Sequence, residues 1–271
     1  MEISNLTKDR IHDYLGAGKR FDARGLYDYR DIVIETGISK NAEGSARVKI
    51  GETEVVAGVK LGISEPYPDS PDKGSLISGV EHLPLSAPYF ESGPPSIQAI
   101  EMARIVDRGI RESGFIDFKK LCIREGEKAW VIFLDIYSIN DAGNLMDASA
   151  LAAIAALKTA RFPEYDKETD KVIFGSFTDK KLPLTESVPI TLTFYKVNNT
   201  FILDPILLEE ESSNMRVSIA LSKQGKKVIV NACQKSGEAA IEKEELSSIF
   251  EKATEKWKQI EPKIMKLIDK K

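Results

Sequence analysis

Apolar positions along this chain follow two rhythms, an alternation that predicts strands and a three-to-four-residue spacing that predicts helices. Leu6, Ile11, Tyr14 and Leu15 predict a short amphipathic helix, ended by the Gly-Ala-Gly of residues 16–18. Ile32-Val-Ile-Glu-Thr-Gly37 predicts a strand, and residues 44–51 and 52–60 predict a hairpin across Gly51-Glu52. Residues 64–95 hold more than half of the twelve prolines and predict a long loop with one strand near 81–85. From Ser96 to Ser113 the rhythm is helical, with Ile97, Ile100, Ala103, Val106 and Ile110 on one face. The run Trp130-Val-Ile-Phe-Leu-Asp-Ile-Tyr137 is nearly continuous and predicts a strand buried on both faces. A polar loop follows, and Asp147 is placed to cap a helix over 148–160 whose alanines let it lie close to a sheet.

Residues 161–182 are charged, contain Pro163 and predict a linker between halves. A second β-rich part follows: 188–195, a turn at Asn198-Asn199, 200–203, an alternating run over 215–221, and 227–231 returning across Gln224-Gly225. Residues 243–271 predict a final helix, with Leu246, Ile249, Ala253, Trp257, Ile260 and Ile264 in phase and Pro262 as a point of kinking or division. Each half is thus β-rich and ends in an apolar-faced helix, an α+β pattern.

Composition narrows the function classes. With 38 Lys+Arg against 42 Asp+Glu the net charge is −4, so any contact to nucleic acid must be local. Cys122 and Cys233 stand far apart, and His12 and His82 are the only imidazoles; a zinc site is disfavoured and a reducing cytoplasm expected. No apolar run has the roughly 20 residues of a membrane span. The expectation is a soluble cytoplasmic protein that needs no cofactor and no membrane.

Four features carry candidate chemistry. The loop Asn140-Asp-Ala-Gly-Asn-Leu145, between a strand and a helix N-terminus, has the form of an anion site. Arg104, Arg108 and Arg111 share one helix face at i, i+4 and i+7. The plain alternative is a solvated face, with Asp107 pairing Arg111 and Glu112 pairing Arg108. The run Glu209, Glu210, Glu211 invites a metal-site reading, but consecutive residues diverge, so a solvated edge is expected. Asp135 is an odd polar residue in an apolar strand, either paired or facing a cleft.

Six segments in order resemble the RNase PH family: Arg20-Phe-Asp-Ala-Arg24, Gly44-Ser-Ala-Arg47, Gly51-Glu-Thr-Glu-Val-Val-Ala-Gly-Val59, the helix with Arg104 and Arg108, the strand-loop-helix after Trp130, and Leu203-Asp-Pro-Ile-Leu-Leu-Glu-Glu-Glu211. The resemblance is nearest to the non-catalytic ring subunits of archaeal exosomes. It implies two RNase PH-type units of the ribosomal protein S5 domain 2-like β-α fold. They would be 20–162, preceded by a helical segment 1–19, and 185–271. It further implies a hetero-hexameric ring, three copies each of this chain and a catalytic RNase PH-like subunit. RNA-binding cap subunits and single-stranded RNA are the other implied partners, with Arg104, Arg108 and Arg111 offered to the RNA.

Departures from the pattern bear on activity. Catalytic members carry Asp-Gly-Gly-Thr/Ser-Arg in the phosphate loop; here the matching positions are Asp141, Ala142, Gly143, Asn144 and Leu145. Leu145 supplies neither charge nor a donor fork. The paired aspartates of the family correspond to Glu210 and Arg216, and an arginine there opposes a divalent cation. The expectation is a chain without catalytic or metal-binding residues, in which these positions form a degenerate phosphate loop and acidic site. The alternatives are an active phosphorolytic nuclease with a divergent site and an RNA-binding S5-like module unrelated to degradation.

Overall fold

The computed structural model describes residues 3–166 and 171–270. The outermost parts of the two predicted units, residues 1–2 and 271, and residues 167–170 of the predicted linker lie outside the described residues.

The first unit is built on a six-stranded sheet. Strands β1 (Ile32–Thr36), β2 (Gly44–Ile50) and β3 (Thr53–Ser64) form an antiparallel meander. Gly51 makes the β2–β3 turn at φ +57°, where a glycine avoids the cost of a Cβ. The sheet continues through β6 (Lys128–Asn140) to β4 (Ser75–His82), which pairs parallel to β6, while short β5 (Cys122–Arg124) pairs with the start of β6. The parallel pair is joined through helix α2 (Ile97–Glu112), as parallel strands require a crossover. The strand expected at 81–85 is therefore longer and earlier. Its flanking prolines obscured it.

The central strand β6 also departs from expectation. It is buried on both faces only as far as Ile132; Phe133 and Asp135 point to the open side of the sheet while Leu134 and Ile136 face the core. Helix α3 (Leu145–Thr159) covers that core face, and every residue from 145 to 157 is buried. Its alanines permit contact closer than larger side chains would. A Cβ added at Gly44 of β2 would lie 2.3 Å from the Ala156 carbonyl oxygen and 2.7 Å from Ala160.

The described residues of the expected linker form a two-stranded ribbon, β7 (Arg161–Asp166) with β8 (Lys171–Lys181). Charged residues on both faces of a ribbon with little cover hide its alternation. The second unit is a four-stranded antiparallel sheet in the order β10 (Thr200–Leu203), β9 (Ile190–Val197), β11 (Met215–Gln224), β12 (Lys227–Gly237). Asn198 takes the positive φ of the β9–β10 turn.

Helices α2, α3 and α5 (Lys243–Asp269) touch strands of both sheets, so one layer of helices joins the two units. Helix α5 runs through Pro262, which is exposed; Trp257 anchors it by donating to the Leu221 carbonyl at 3.0 Å. On α2 the buried face is Ala99, Met102, Ala103, Ile105, Val106, Gly109 and Ile110, and the expected core positions Ile97 and Ile100 are exposed. The N-terminal helix α1 (Asn5–Gly16) packs Ile11 and Leu15 against Tyr195, Val197 and Ile202. No helix among the described residues is long and apolar enough to cross a membrane.

The contact between β2 and α3 generates a test. Gly44→Ala should destabilise the protein by about 1–3 kcal/mol, the usual cost of forcing atoms into a packed core, measured as a lower denaturant midpoint. An unchanged midpoint would show that α3 does not lie this close to β2.

Candidate functional site

Loop 141–144 enters α3 where the two units meet. Gly143 has φ +93°, and a Cβ there would lie 2.6 Å from the Pro205 carbonyl oxygen and 2.7 Å from Leu207 N. Only glycine admits this approach of the loop to the segment after β10. Leu207 N then donates to the Ala142 carbonyl at 3.1 Å.

Asp204, fully buried at φ +47°, holds the junction together. Its Oδ2 accepts from Arg24 Nη1 (2.8 Å), Arg30 N (2.7 Å) and Arg30 Nε (2.9 Å). Its Oδ1 accepts from Arg30 Nη2 (2.7 Å) and Asn144 Nδ2 (2.9 Å). The same Arg30 donates to the carbonyls of Ala142 and Gly143, both at 2.9 Å. Thr53 completes the cradle by donating to the Gly143 carbonyl at 2.6 Å. A buried carboxylate surrounded by guanidinium and amide donors is the arrangement that offsets desolvation.

The acidic run is not a solvated edge. Residues 207–211 form one helical turn, α4 (Leu207–Glu211), and Glu209 is fully buried. Both its carboxylate oxygens meet the guanidinium of Arg20, which also donates to the carbonyls of Leu203 (2.9 Å) and Asp204 (2.8 Å). The Arg20-Phe-Asp-Ala-Arg24 segment thus supplies the counter-charges for the second unit. Among the described residues no group of His, Cys, Asp or Glu converges to hold a metal ion.

Glu210 turns the other way, onto the loop. Its Oε2 accepts the backbone N–H of Asn144 at 2.6 Å, and its Oε1 accepts from the Tyr195 hydroxyl at 3.0 Å. The neighbouring Gly143 N–H is taken by Asp141 Oδ1 at 2.9 Å. The two amides at the mouth of α3 are therefore occupied by the chain's own carboxylates. Leu145 is buried, and points no charge into the space beyond.

Asp147 does not cap α3. Asn144 takes the cap position at φ +60°, and Asp147 is buried one turn in, accepting from Tyr29, Asn144 Nδ2 (3.1 Å) and Thr193 Oγ1 (2.7 Å). Arg216 on β11 is paired with Glu101 of α2 at 2.6 Å. Asp141, Leu145, Glu210 and Arg216 line one cavity of about 720 Å³, roofed by the Gly-Pro-Pro loop before α2. The sequence-matched positions of the loop and of the acidic site are brought together, but each charged one already has a partner within the chain.

Burial makes these partners sensitive to pH. Desolvation, reinforced by the charge of Asp141, pushes the Glu210 carboxyl up to about 7, against the pull of the Asn144 amide, Tyr195 and Arg216. Desolvation likewise raises Asp147 to about 6, against four hydrogen bonds.

The arginines of α2 divide. Arg111 bonds Asp107 at 2.8 and 3.0 Å and donates to the Leu76 carbonyl of β4 at 3.0 Å, sealing that strand's edge. Arg104 and Arg108 are exposed, and among the described residues neither forms an ion pair; the expected Arg108–Glu112 pair is not made. Both line a cavity of about 390 Å³ beside β4 and β6, into which Asp135 also faces. Sequence reasoning missed Arg20, Arg30, Asp204, Tyr195 and Glu101. The ordered basic and acidic motifs contain two of them, Arg20 and Asp204, without showing what they pair with.

Comparison with known proteins places these features in context. The model of the 3′ exoribonuclease family, domain 1 (RNase PH) matches residues 28–163, and that of domain 2 matches residues 187–256. The exosome complex component Rrp42 of Methanocella arvoryzae is 43% identical over 254 residues, 94% of each chain. That of Thermococcus kodakarensis is 41% identical over 272 residues, 99% of this chain and 98% of the other. Among solved structures, a chain of the Archaeoglobus fulgidus exosome with RNA bound to the active site superposes with a TM-score of 0.84 at 39% identity, covering 94% of this chain and 97% of that one. A chain of an archaeal exosome core gives 0.83 at 36% identity, over 96% and 97%.

The raised carboxyls predict a pH dependence. A carboxyl whose folded pKa exceeds its unfolded value favours folding when protonated, so stability falls as pH rises from about 4.5 to 7 through the Glu210 shift. Glu210→Gln removes this loss. Its melting temperature should match the parent near pH 5 and exceed it at pH 8; a gap that stays constant between these pH values would refute the raised Glu210 carboxyl.

Proposed function

The chain belongs to the 3′ exoribonuclease (RNase PH) family, and from that membership we propose that it is a non-catalytic ring subunit of an exosome, a 3′-to-5′ phosphorolytic exoribonuclease complex. The observation that carries the reading is the seat of Glu210. Phosphorolysis needs inorganic phosphate held as the attacking group, and helix N-termini hold phosphate through free backbone N–H groups and the helix dipole. Here the Asn144 and Gly143 amides are spent on carboxylates. A phosphate would also meet Asp141 and Glu210 at close range, a like-charge approach in a site of low dielectric. Leu145 offers no guanidinium to offset that repulsion, and the charge of Arg216 is directed to Glu101.

On this reading a catalytic RNase PH-like relative supplies the chemistry, three copies of each chain alternate in a hetero-hexameric ring, and RNA-binding cap subunits sit on it. Support comes from the similarity to the archaeal exosome core over nearly the whole chain. Arg104 and Arg108 offer two unpaired guanidinium groups, one helical turn apart, to the backbone of single-stranded RNA. Arg111, bound to Asp107 and to β4, serves the fold and not the RNA.

The purified chain, given phosphate, Mg²⁺ and single-stranded RNA, should release no nucleoside diphosphates, and Leu145→Arg should not restore release because Glu210 and Arg216 remain. Chromatography of the products decides. Steady nucleoside diphosphate formation by the homogeneous parent would favour the alternative of an active, divergent nuclease.

A further inference from the structure

Asp135 plays no part in the junction described above, yet its surroundings are specific. It stands on the open face of the first sheet, in register with Gly58 of β3 on one side and Gly79 of β4 on the other. A Cβ added at Gly58 would meet nothing within 4 Å, and one added at Gly79 would lie 3.5 Å from Asp135 Oδ1. The carboxylate is thus flanked by bare backbone, on a floor that a ligand can approach closely.

This floor forms one wall of the cavity of about 390 Å³, with Tyr137 beside Asp135 and with Arg104 and Arg108 on the α2 side. Among the described residues, none of Asp135, Arg104 and Arg108 makes a side-chain hydrogen bond or ion pair. Partial desolvation and the negative charge of Glu81 raise the Asp135 carboxyl. Among the described residues the opposite charges of this cavity thus form no direct pair.

A cavity with two free guanidinium groups on its helix side, and the carboxylates of Asp135 and Glu81 on its sheet side, matches the polarity of a ribonucleotide. Guanidinium groups take phosphate oxygens. A carboxylate accepts from ribose hydroxyls, as the acidic residue of dinucleotide sites does, and repels phosphate. The 2′-hydroxyl is the group by which a protein tells RNA from DNA.

We infer that the cavity between α2 and strands β4 and β6 is a ribonucleotide pocket, in which Arg104 and Arg108 hold a backbone phosphate and Asp135 accepts the 2′-hydroxyl of the strand. The inference rests on the reading that Arg104 and Arg108 meet RNA and adds to it a reader of the sugar. It assigns Asp135 a binding role without any part in chemistry.

The 271-residue chain is titrated with labelled oligoadenylate, with oligodeoxyadenylate of the same length, and with the 2′-O-methyl oligomer, which lacks the 2′ donor. The parent should bind the ribo form roughly tenfold more tightly than the other two, the scale of one hydrogen bond to a charged group. Asp135→Ala should erase that ratio while leaving the affinity for the deoxy oligomer unchanged or higher. Asp135→Asn, which keeps an acceptor oxygen, should retain part of it. Replacing both Arg104 and Arg108 by Ala should weaken all three oligomers alike and reduce the log–log salt slope by about 1.4. A parental ribo-to-deoxy ratio in Asp135→Ala, or a parent that does not discriminate the 2′-O-methyl form, overturns the pocket and leaves the arginine reading standing. A double arginine variant that binds like the parent at every salt concentration overturns both.

Discussion

A single buried carboxylate, Asp204, fixes how the two units of this chain meet. Five donor contacts from Arg24, Arg30 and Asn144 converge on it, and the same Arg30 holds the carbonyls of the loop that leads into α3. Taking that charge out of water is costly, and removing one partner of such a group usually costs more than the group contributes. The loop therefore has one stable position relative to the second unit. Gly143 packs against residues 205–207, and Glu210, only six residues beyond Asp204, is delivered to the Asn144 amide. Arg20 and Glu209 repeat the arrangement one layer away, where both side chains are removed from solvent.

This junction explains how one scaffold can keep its architecture while its site changes character. An anion bound at the head of α3 complements the helix dipole and the loop amides. In this chain the anion is a side chain, so the helix end is satisfied without a ligand. The architecture then does not depend on phosphate. On the proposed reading the consequence is a division of labour, in which the guanidinium groups offered to RNA, Arg104 and Arg108, stand on α2 beside β4 and β6 and not in the cavity at the head of α3.

Much of the fold is legible in the sequence, because local rules act within a few residues. The β2–β3 hairpin is set by its turn, α2 by Ser96 and Ser113 at its ends, and the β9–β10 turn by Asn198. The failures share a cause in distant partners. Glu209 reads as solvated because its counter-charge, Arg20, is 189 residues away. Asp147 reads as a cap because Thr193 and Tyr29, which bury it, belong to other segments. Ile97 and Ile100 fit the core rhythm of α2, but both stay exposed at open clefts between the helix and the strands beside it. The loop and the acidic positions were recognisable as departures from a pattern. That Glu210 itself fills the anion seat was not, since it requires two segments 66 residues apart to be brought within hydrogen-bonding distance.

The most direct test of the account observes the Asn144 and Gly143 amides themselves. In a proton–nitrogen correlation spectrum of the full chain, titrated with inorganic phosphate against chloride at matched ionic strength, neither amide should shift at pH 7.5, because Glu210 and Asp141 already occupy them. A saturable shift of both resonances with phosphate would show that the loop still takes the attacking anion, and would contradict the claim that this chain supplies its own.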